Sequence, residues 1–198
     1  MIIDEKRIAG VKKYLLEQIN LAKSQRWGNI IAWDRTFVSG GVIASLLQYE
    51  QPKDIDIYFK AELPMKEATV GLLQYLPDIK DVDDQYRDVI GTNGKMITER
   101  SITMSTGHSF ISMHHGHPDD VRKTFDYLHC TPYYDVETNL LYISEAQYVA
   151  ATQKILEVNN PKTFTNLRQN KFLKRGYKLG ETCKQLPPAP VVQIDPYS

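Results

Sequence analysis

Cysteine is scarce in this sequence of 198 residues, which contains only Cys130 and Cys183. Two cysteines cannot build the disulfide framework of a small secreted protein, and they fit a reducing cytoplasm. Net charge is also absent, because 24 basic residues balance 24 acidic ones. A neutral chain is not attracted to nucleic acid as a whole, so any such binding would have to come from a local patch.

Long apolar runs are missing as well, since no window reaches the roughly 18 apolar residues that a membrane span needs. The first segment, "MIIDEKRIAGVKKYLLEQINLAK", carries charges throughout and lacks the apolar centre of a signal peptide. We therefore expect a cytoplasmic protein with no membrane partner. With 42% hydrophobic residues, the chain is able to bury a substantial core, and its length suits one domain.

The pattern of apolar residues predicts helices and strands that alternate along the chain. Apolar residues at three- and four-residue steps predict a first helix over 4–24, and "TFVSGG" is typical of a strand that enters a glycine turn. "VIASLLQY" predicts a short helix, and "DIDIYFK" alternates as a strand with two unlike faces does. Such intermixed elements indicate an α/β or α+β fold.

The second half of the sequence predicts further strands and two more helices. Turn residues and β-branched positions favour a hairpin or meander over 87–116, a strand near Phe125, and a strand–turn–strand over 133–144. A helix capped by Ser144 is predicted to run to Asn159, and a basic helix closed by glycine follows over 161–180. We expect one domain over 1–180, with its core at about 28–143 and a helical extension at 144–180, followed by a proline-rich tail over 181–198.

Two aspartates stand one residue apart in the predicted strand, at Asp54 and Asp56. Residues i and i+2 of a strand point to the same face, so the two carboxylates lie side by side, with Cα atoms roughly 6.6 Å apart. At about 4 Å, two like charges repel by roughly 4 kcal/mol at an effective dielectric near 20. A divalent cation such as Mg²⁺ would reverse that repulsion, whereas the plain alternative is an exposed, charged edge strand.

A glycine pair, Gly40 and Gly41, precedes the short helix and lies about a dozen residues before Asp54. Glycine lets a backbone approach a ligand closely, and the start of a helix offers N–H groups to an anion. Ser39 adds a hydroxyl. A phosphate-binding turn next to a metal-binding strand is what a nucleoside triphosphate with its metal ion needs, although the pair alone also fits a simple strand-to-helix turn.

The stretch "VSGGVIASLLQYEQPKDIDIYF" resembles the signature of the nucleotidyltransferase superfamily, which has the DNA polymerase β-like fold. Its spacing is similar to that of the tRNA CCA-adding and poly(A) polymerase branch, in which the glycine turn is followed by "PKDID". The chain departs from that branch at Ala44 and Ser45, where the branch has Arg-Asp. "GHPDDVRKTFDYLHC" and "LRQNKFLKRGYKL" also resemble segments of small nucleotidyltransferase-like proteins of bacteriophages, which would place the protein in the host cytoplasm.

This resemblance implies a mixed central sheet flanked by helices, with a helical extension at the C-terminus. It implies transfer of a nucleoside monophosphate from an NTP to a hydroxyl acceptor on an RNA end, a protein or a small molecule, with Mg²⁺ or Mn²⁺ as cofactor. Asp54 and Asp56 would bind the metal, and Ser39, Gly40 and Gly41 would hold the triphosphate. The alternative is a protein that keeps the fold for binding or structure without catalysis.

The superfamily also implies a third carboxylate on a neighbouring strand. We select Asp126, in "KTFDYLHC", as the third metal ligand and as a group that helps deprotonate the acceptor; alternatively, it caps a turn. The remaining candidates are Asp83, Asp84, Asp88, Asp119, Asp120 and Asp135.

Two other groups of residues are candidates for ligand contacts. Lys171 and Arg175 lie with Arg168 on one face of the predicted basic helix and would neutralise phosphate groups, unless that face is simply solvated. The turn "SMHHGHP", with His114, His115 and His117, lacks the paired spacing of a zinc site. We expect a polar turn there instead.

Overall fold

The computed structural model describes residues 3–82 and 101–184. The helices of these residues, in chain order, are α1 (Glu5–Ser24), α2 (Gly41–Leu47), α3 (Glu62–Leu72), α4 (Pro118–Arg122), α5 (Glu145–Thr152), α6 (Asn166–Lys174) and α7 (Glu181–Lys184). The strands are β1 (Thr36–Ser39), β2 (Ile55–Phe59), β3 (Ile79–Val82), β4 (Ser101–Met104), β5 (His108–His115), β6 (Tyr133–Asp135), β7 (Leu140–Tyr142), β8 (Ile155–Leu156) and β9 (Lys178–Leu179). None of the helices described is long and apolar enough to cross a membrane.

Seven strands form one mixed sheet in the order β3-β4-β5-β2-β1-β6-β7. Strand β2 lies at its centre, antiparallel to β1 and parallel to β5. All other pairs in this sheet are antiparallel, and a second sheet contains only the short parallel strands β8 and β9. The expected α/β (α+β) class with a mixed central sheet flanked by helices is therefore confirmed.

One face of the sheet is covered by α1, α2 and α3, and this layer forms the main core. Helix α1 begins at Asp4, whose carboxylate accepts hydrogen bonds from the amides of Lys6 and Arg7 and so satisfies two N–H groups of the first turn. Its apolar stripe, which includes Leu15 and Ile19, is buried against the sheet. Strand β2 contributes Ile55, Ile57 and Phe59 to the same core.

The opposite face of the sheet carries a smaller aromatic layer and the C-terminal helices. Phe37 of β1 stacks on Tyr58 of β2, with ring centroids 5.3 Å apart, and Val121 of α4 packs against them. A separate apolar cluster lies under α6 and α7 and includes Tyr127, Cys130, Leu156, Phe172, Tyr177 and Cys183. This cluster attaches α6 to the rest of the chain.

Several local predictions are confirmed, namely α1, the strand before the glycine turn, the short helix α2, and the strand–turn–strand of β6 and β7. Within 101–116, the expected hairpin is β4 paired with β5. Helix α5 has the predicted Ser144 cap, in a capping box with Gln147. It is shorter than expected, because it ends at Thr152 and the chain turns at Lys154, which has a φ of 53°.

The strand predicted near Phe125 is wrong. Residues 123–127 form a turn, and the only pairing there among the residues described is a single bridge from Tyr127 to Val158. At the C-terminus, α7 occupies the first four residues of the segment predicted as a proline-rich tail. Residues 185–198 of that tail, and 87–100 of the predicted hairpin, lie outside the residues described.

His129 is a buried polar group in the cluster under α6. Its side chain is fully inaccessible, and neither ring nitrogen has a hydrogen-bond partner among the residues described. The centres of the Phe172 and Tyr177 rings lie 4.6 and 4.5 Å from the centre of its ring. Burial lowers the pKa of His129 from 6.5 to about 3. The folded chain therefore keeps this imidazole neutral at mildly acidic pH, where the unfolded chain protonates it.

We expect this histidine to weaken the fold in acid. The pKa of His129 is lower in the folded chain than in the unfolded chain, so protons bind preferentially to the unfolded chain as pH falls below 6.5. The contribution of His129 to the unfolding free energy is lost over that range. Between pH 7.5 and pH 5 this one group should lower the unfolding free energy by about 2 kcal/mol. The variant His129→Phe should lose that part of the pH dependence in urea unfolding measured at both pH values. An unchanged difference between the two pH values in the variant would contradict this assignment.

Candidate active site

A cleft of about 1200 Å³ opens between the sheet and helix α6. Its sheet side is lined by Asp54, Asp56 and Tyr58, which occupy alternate positions along β2 and the residue before it. Because side chains alternate along a strand, the residues that face the cleft are interleaved with those that form the main core. The predicted strand with two unlike faces is therefore present, with its carboxylates in a cleft and not on an open edge.

Asp56 lies at the centre of the sheet, with Ser39 opposite it on β1 and Ser109 opposite it on β5. Burial, and then the nearby charge of Asp54, raise the pKa of Asp56 to about 6. The positive charges of Arg168 and Lys171 act in the opposite direction on the same pKa. The carboxylate pair thus faces basic side chains of α6 across the cleft.

The glycine turn lies directly against this carboxylate. Gly40 has a φ of +90° and a ψ of −154°, and a Cβ atom added there would lie 2.8 Å from Oδ2 of Asp56. Its amide donates to the carbonyl of Cys130. A Cβ atom added at Gly41 would meet no atom within 4 Å, so this side of the turn is open to the cleft, which both glycines line.

Ser39 is placed differently from the expectation that it contacts a triphosphate. Its side chain is fully buried, and its hydroxyl donates to the carbonyl of Pro132 at 2.8 Å, with the carbonyl of Cys130 at 3.3 Å. These hydrogen bonds tie the end of β1 to the segment before β6. The geometry therefore assigns Ser39 to holding the turn and gives no support to a direct phosphate contact.

The basic residues of α6 form the opposite side of the cleft. The helix begins at Thr165, whose hydroxyl accepts the amide of Arg168, and its buried Phe172 fixes its orientation. The basic residues on this side are Arg168, Lys171, Lys174 and Arg175, and Lys53 lies at the end near α2. Among them, Arg175 also lies 3.7 Å from Oε2 of Glu50 and donates to the hydroxyl of Ser45 at 3.4 Å.

Asp126 lines the same cleft, in the turn after α4 and not on a strand beside β2. It is 5% exposed, and its carboxylate accepts hydrogen bonds from Nε and Nη2 of Arg168 at 2.7 and 3.3 Å. Strand β5, the parallel neighbour of β2, presents Ile111 and Met113 to the cleft, and neither is acidic. The side chains described contain no group of three or more His, Cys, Asp or Glu able to hold a metal ion.

The other candidates for a third carboxylate have separate surroundings. Asp119 and Asp120 form ion pairs with neighbouring basic residues at the surface of α4. Asp135 accepts Nζ of Lys60 and the amides of the turn between β6 and β7. Residues 83, 84 and 88 lie outside the part of the chain described.

The histidines of the predicted polar turn separate in the structure. His114 lines the cleft, and burial, together with the nearby His115, lowers its pKa. His117 caps α4, its Nδ1 accepting the amide of Asp119. Cys130 also borders the cleft, but burial raises the pKa of its thiol to about 12, which excludes a thiolate nucleophile at neutral pH.

Sequence reasoning gave Tyr58, Lys53 and Lys174 no role in the site, although all three line the cleft. Tyr58 had a signal, since it follows Asp54 and Asp56 at the same two-residue step. Lys174 had none, because only the docking of α6 against the sheet shows which of its basic residues line the cleft. Lys53 lies next to Asp54 in the sequence, but a lysine in a loop has no pattern that predicts where its side chain points.

We expect Gly40 to tolerate no side chain, in contrast to Gly41. In Gly40→Ala the alanine would have to adopt a backbone conformation that almost only glycine takes, and its Cβ atom would clash with the Asp56 carboxylate. The substitution should therefore lower the unfolding free energy by about 1–3 kcal/mol. Gly41→Ala is the matched control and should leave stability within about 0.5 kcal/mol of the wild type. Urea unfolding of both variants checks this, and equal losses would contradict the geometry described for the turn.

Solved structures similar to this chain include CCA-adding enzymes. The Bacillus stearothermophilus CCA-adding enzyme in complex with CTP matches with a TM-score of 0.54 and 13% identity over 88% of this chain and 42% of the enzyme. The Thermotoga maritima CCA-adding enzyme complexed with tRNA matches with a TM-score of 0.51 and 18% identity, over 92% of this chain and 41% of the enzyme. The chain thus has the nucleotidyltransferase fold and spans less than half the length of these enzymes.

Among proteins of curated function, none matches this chain at significant similarity. A family model described as "Gabija anti-defense 2 family protein", Gad2, matches residues 9–154. That match covers all seven strands of the main sheet, the glycine turn, Asp54 and Asp56. The chain belongs to the Gabija anti-defense 2 family.

Proposed function

We propose that this protein is a metal-dependent nucleotidyltransferase, which transfers a nucleoside monophosphate from an NTP to a hydroxyl acceptor and releases pyrophosphate. One observation supports it above the others, namely that Asp54 and Asp56 face the basic side of α6 across one cleft. Negative oxygens for a metal ion and positive side chains for a triphosphate are the two requirements of phosphoryl transfer. The shared fold with CCA-adding enzymes agrees with this general kind of reaction.

The donor set of the cleft fits Mg²⁺ or Mn²⁺. Asp54 and Asp56 offer only carboxylate oxygens, the ligands that hard divalent cations prefer. The raised pKa of Asp56 shows that its charge is costly in the protein alone, and a bound cation would relieve that cost. When bound, a metal ion supplies charge neutralisation at the reacting phosphate. The sequence resemblance predicts Asp126 as a third ligand, but the hydrogen bonds between its carboxylate and Arg168 favour another role for this residue.

The remaining groups of the cleft bind and orient the substrates. The open side of the Gly40–Gly41 turn lets phosphate oxygens approach the backbone, and Lys171 and Arg175 neutralise their charge. The acceptor oxygen attacks the α-phosphorus, the bond from that phosphorus to the bridging oxygen breaks, and pyrophosphate leaves. The hydroxyl proton passes to a carboxylate of the cleft.

The biological role that we propose follows the family description, so nucleotidyl transfer by this protein would counteract the Gabija defence. The acceptor would be an RNA end, a protein or a small alcohol. The second candidate function is a binding protein without catalysis. It is favoured by one observation, namely that the Arg168 ion pair engages Asp126 while β5 presents no carboxylate to the cleft.

The first test measures transfer from NTP labelled at the α-phosphate, offered separately to RNA, to a protein extract and to small alcohols with Mg²⁺. We expect the wild type to label one acceptor class. Asp54→Asn and Asp56→Asn should each lower the rate by at least about 100-fold, because each removes a metal ligand, which is worth several kcal/mol in such reactions.

Asp34→Asn is the matched control. Asp34 is an exposed aspartate that pairs with Arg35 and does not line the cleft, so its variant should react as the wild type does. Unfolding curves of all three variants separate lost chemistry from lost folding. Full activity in Asp54→Asn would disprove the site, and a wild type without transfer to any acceptor would favour the binding protein.

A test in cells separates the two candidate functions directly. In cells that carry the Gabija defence, expression of the wild type should restore infection by a bacteriophage that the defence blocks. Asp54→Asn should fail to restore it when present at equal protein level, and Asp34→Asn should restore it fully. If Asp54→Asn restores infection as well as the wild type does, the anti-defence activity comes from binding and does not need nucleotidyl transfer.

A further inference from the structure

The ion pair of Asp126 and Arg168 engages both oxygens of the Asp126 carboxylate. Oδ2 accepts Nε of Arg168 at 2.7 Å, while Oδ1 accepts Nη2 at 3.3 Å and the amide of Tyr127 at 3.0 Å. Two N–H groups on one side of a guanidinium therefore meet one carboxylate, an arrangement that fixes the plane and the direction of the arginine. Asp126 is itself held, because its carbonyl accepts the amides of Asn159 and Asn160.

Arg168 is restrained at its backbone and its side chain. Its amide donates to the hydroxyl of Thr165 in the first turn of α6, and its guanidinium carbon lies 5.5 Å from the centre of the Phe172 ring. Phe172 is 4% exposed and belongs to the cluster under α6. Much of the conformational freedom of a long side chain is thus lost already, so a ligand would not have to order it.

Arg168 shares the cleft with Asp126, Asp54 and Asp56. The positive charge of Arg168 favours the ionised form of Asp56 and so acts against the burial that raises the pKa of that carboxyl. The hydrogen bonds to Asp126 use Nε and Nη2, which leaves further N–H groups of the fork to point elsewhere. A triphosphate beside Asp54 and Asp56 would lie within the same cleft as these groups.

We propose that Arg168 contacts the phosphate groups of the NTP as a catalytic residue, and that Asp126 positions this arginine and is not a metal ligand. The proposal rests on the proposed function and deepens it. Planar guanidinium groups suit phosphate oxygens, and a fixed positive group stabilises charge that develops during transfer. A role for Asp126 as metal ligand would require breaking both hydrogen bonds and would leave Arg168 without its carboxylate partner.

The two assignments of Asp126 differ in what its removal changes. A metal ligand acts independently of Arg168, and its loss weakens metal binding. A positioning residue acts only through Arg168, so its loss changes nothing further once the arginine is absent. A double-mutant cycle with Asp126→Asn, Arg168→Gln and the combined variant therefore separates them, with Mn²⁺ titrated alone into each protein as a second measurement.

We expect Asp126→Asn and Arg168→Gln each to lower kcat about 10- to 100-fold, with the KM for NTP changed less than about threefold, because the contact strengthens in the transition state. The combined variant should be no slower than the slower single variant. Mn²⁺ affinity should stay within about twofold of the wild type in all three, whereas Asp54→Asn should lose it at least about tenfold. Lys178→Gln removes an exposed positive charge from outside the cleft and should leave kcat within about threefold.

Three results would overturn the inference. These are a tenfold loss of Mn²⁺ affinity in Asp126→Asn, losses that multiply in the combined variant, or normal kcat in Arg168→Gln. Urea unfolding of each variant shows whether a loss of kcat reflects unfolding. For a destabilised variant, kcat is compared with that of the wild type at a temperature below the unfolding transition of the variant. A wild type that transfers no nucleotide overturns the proposed function and this role together. If the wild type does transfer nucleotide, a contradictory result in the variants overturns only the roles of Arg168 and Asp126.

Discussion

The packing of the Asp56 carboxylate against the backbone of Gly40 is the contact on which the site depends. It brings the end of β1, the start of α2 and the centre of β2 to one point, because Oδ2 of Asp56 occupies the space that a side chain at residue 40 would fill. The backbone there adopts φ +90°, which only glycine takes without strain. This contact buries the Asp56 carboxylate, and it requires that residue 40 has no side chain that would fill the glycine turn.

The two faces of β2 explain how one strand supports both the fold and the site. Ile57 is fully buried in the main core, while Asp56 and Tyr58 on either side of it point to the cleft. A register slip of one residue would exchange these faces, placing carboxylates in the core. The central position of β2, paired on both sides, fixes its register, so the geometry of the carboxylates follows from the hydrophobic core beneath them.

The part of this arrangement that could be predicted from sequence is the part encoded in short local patterns. The alternation in "DIDIYFK" and the glycine pair predict β2 and the turn, because each depends on neighbouring residues only. The end of α5 could not be predicted this way. "KILEVNN" has apolar spacing that suits a helix, yet Ile155 pairs with Lys178, so β8 exists only because of a distant partner. Lys154, with its positive φ, gave no signal of the helix end.

The same limit applies to Asp126, whose surroundings depend on a residue 42 positions away along the chain. Sequence context favoured a strand there because Phe125 and Tyr127 flank the aspartate. In the structure these two residues pack in different places: Phe125 is partly buried against the aromatic layer on the sheet, and Tyr127 is buried in the cluster under α6. Helix α6 packs against the sheet through that cluster. The aromatic residues that suggested a strand therefore also position Arg168 at the cleft. The position of the basic residues is therefore a consequence of apolar packing around Tyr127 and Phe172, and the electrostatics of the site are set by the smaller core as much as by the charges themselves.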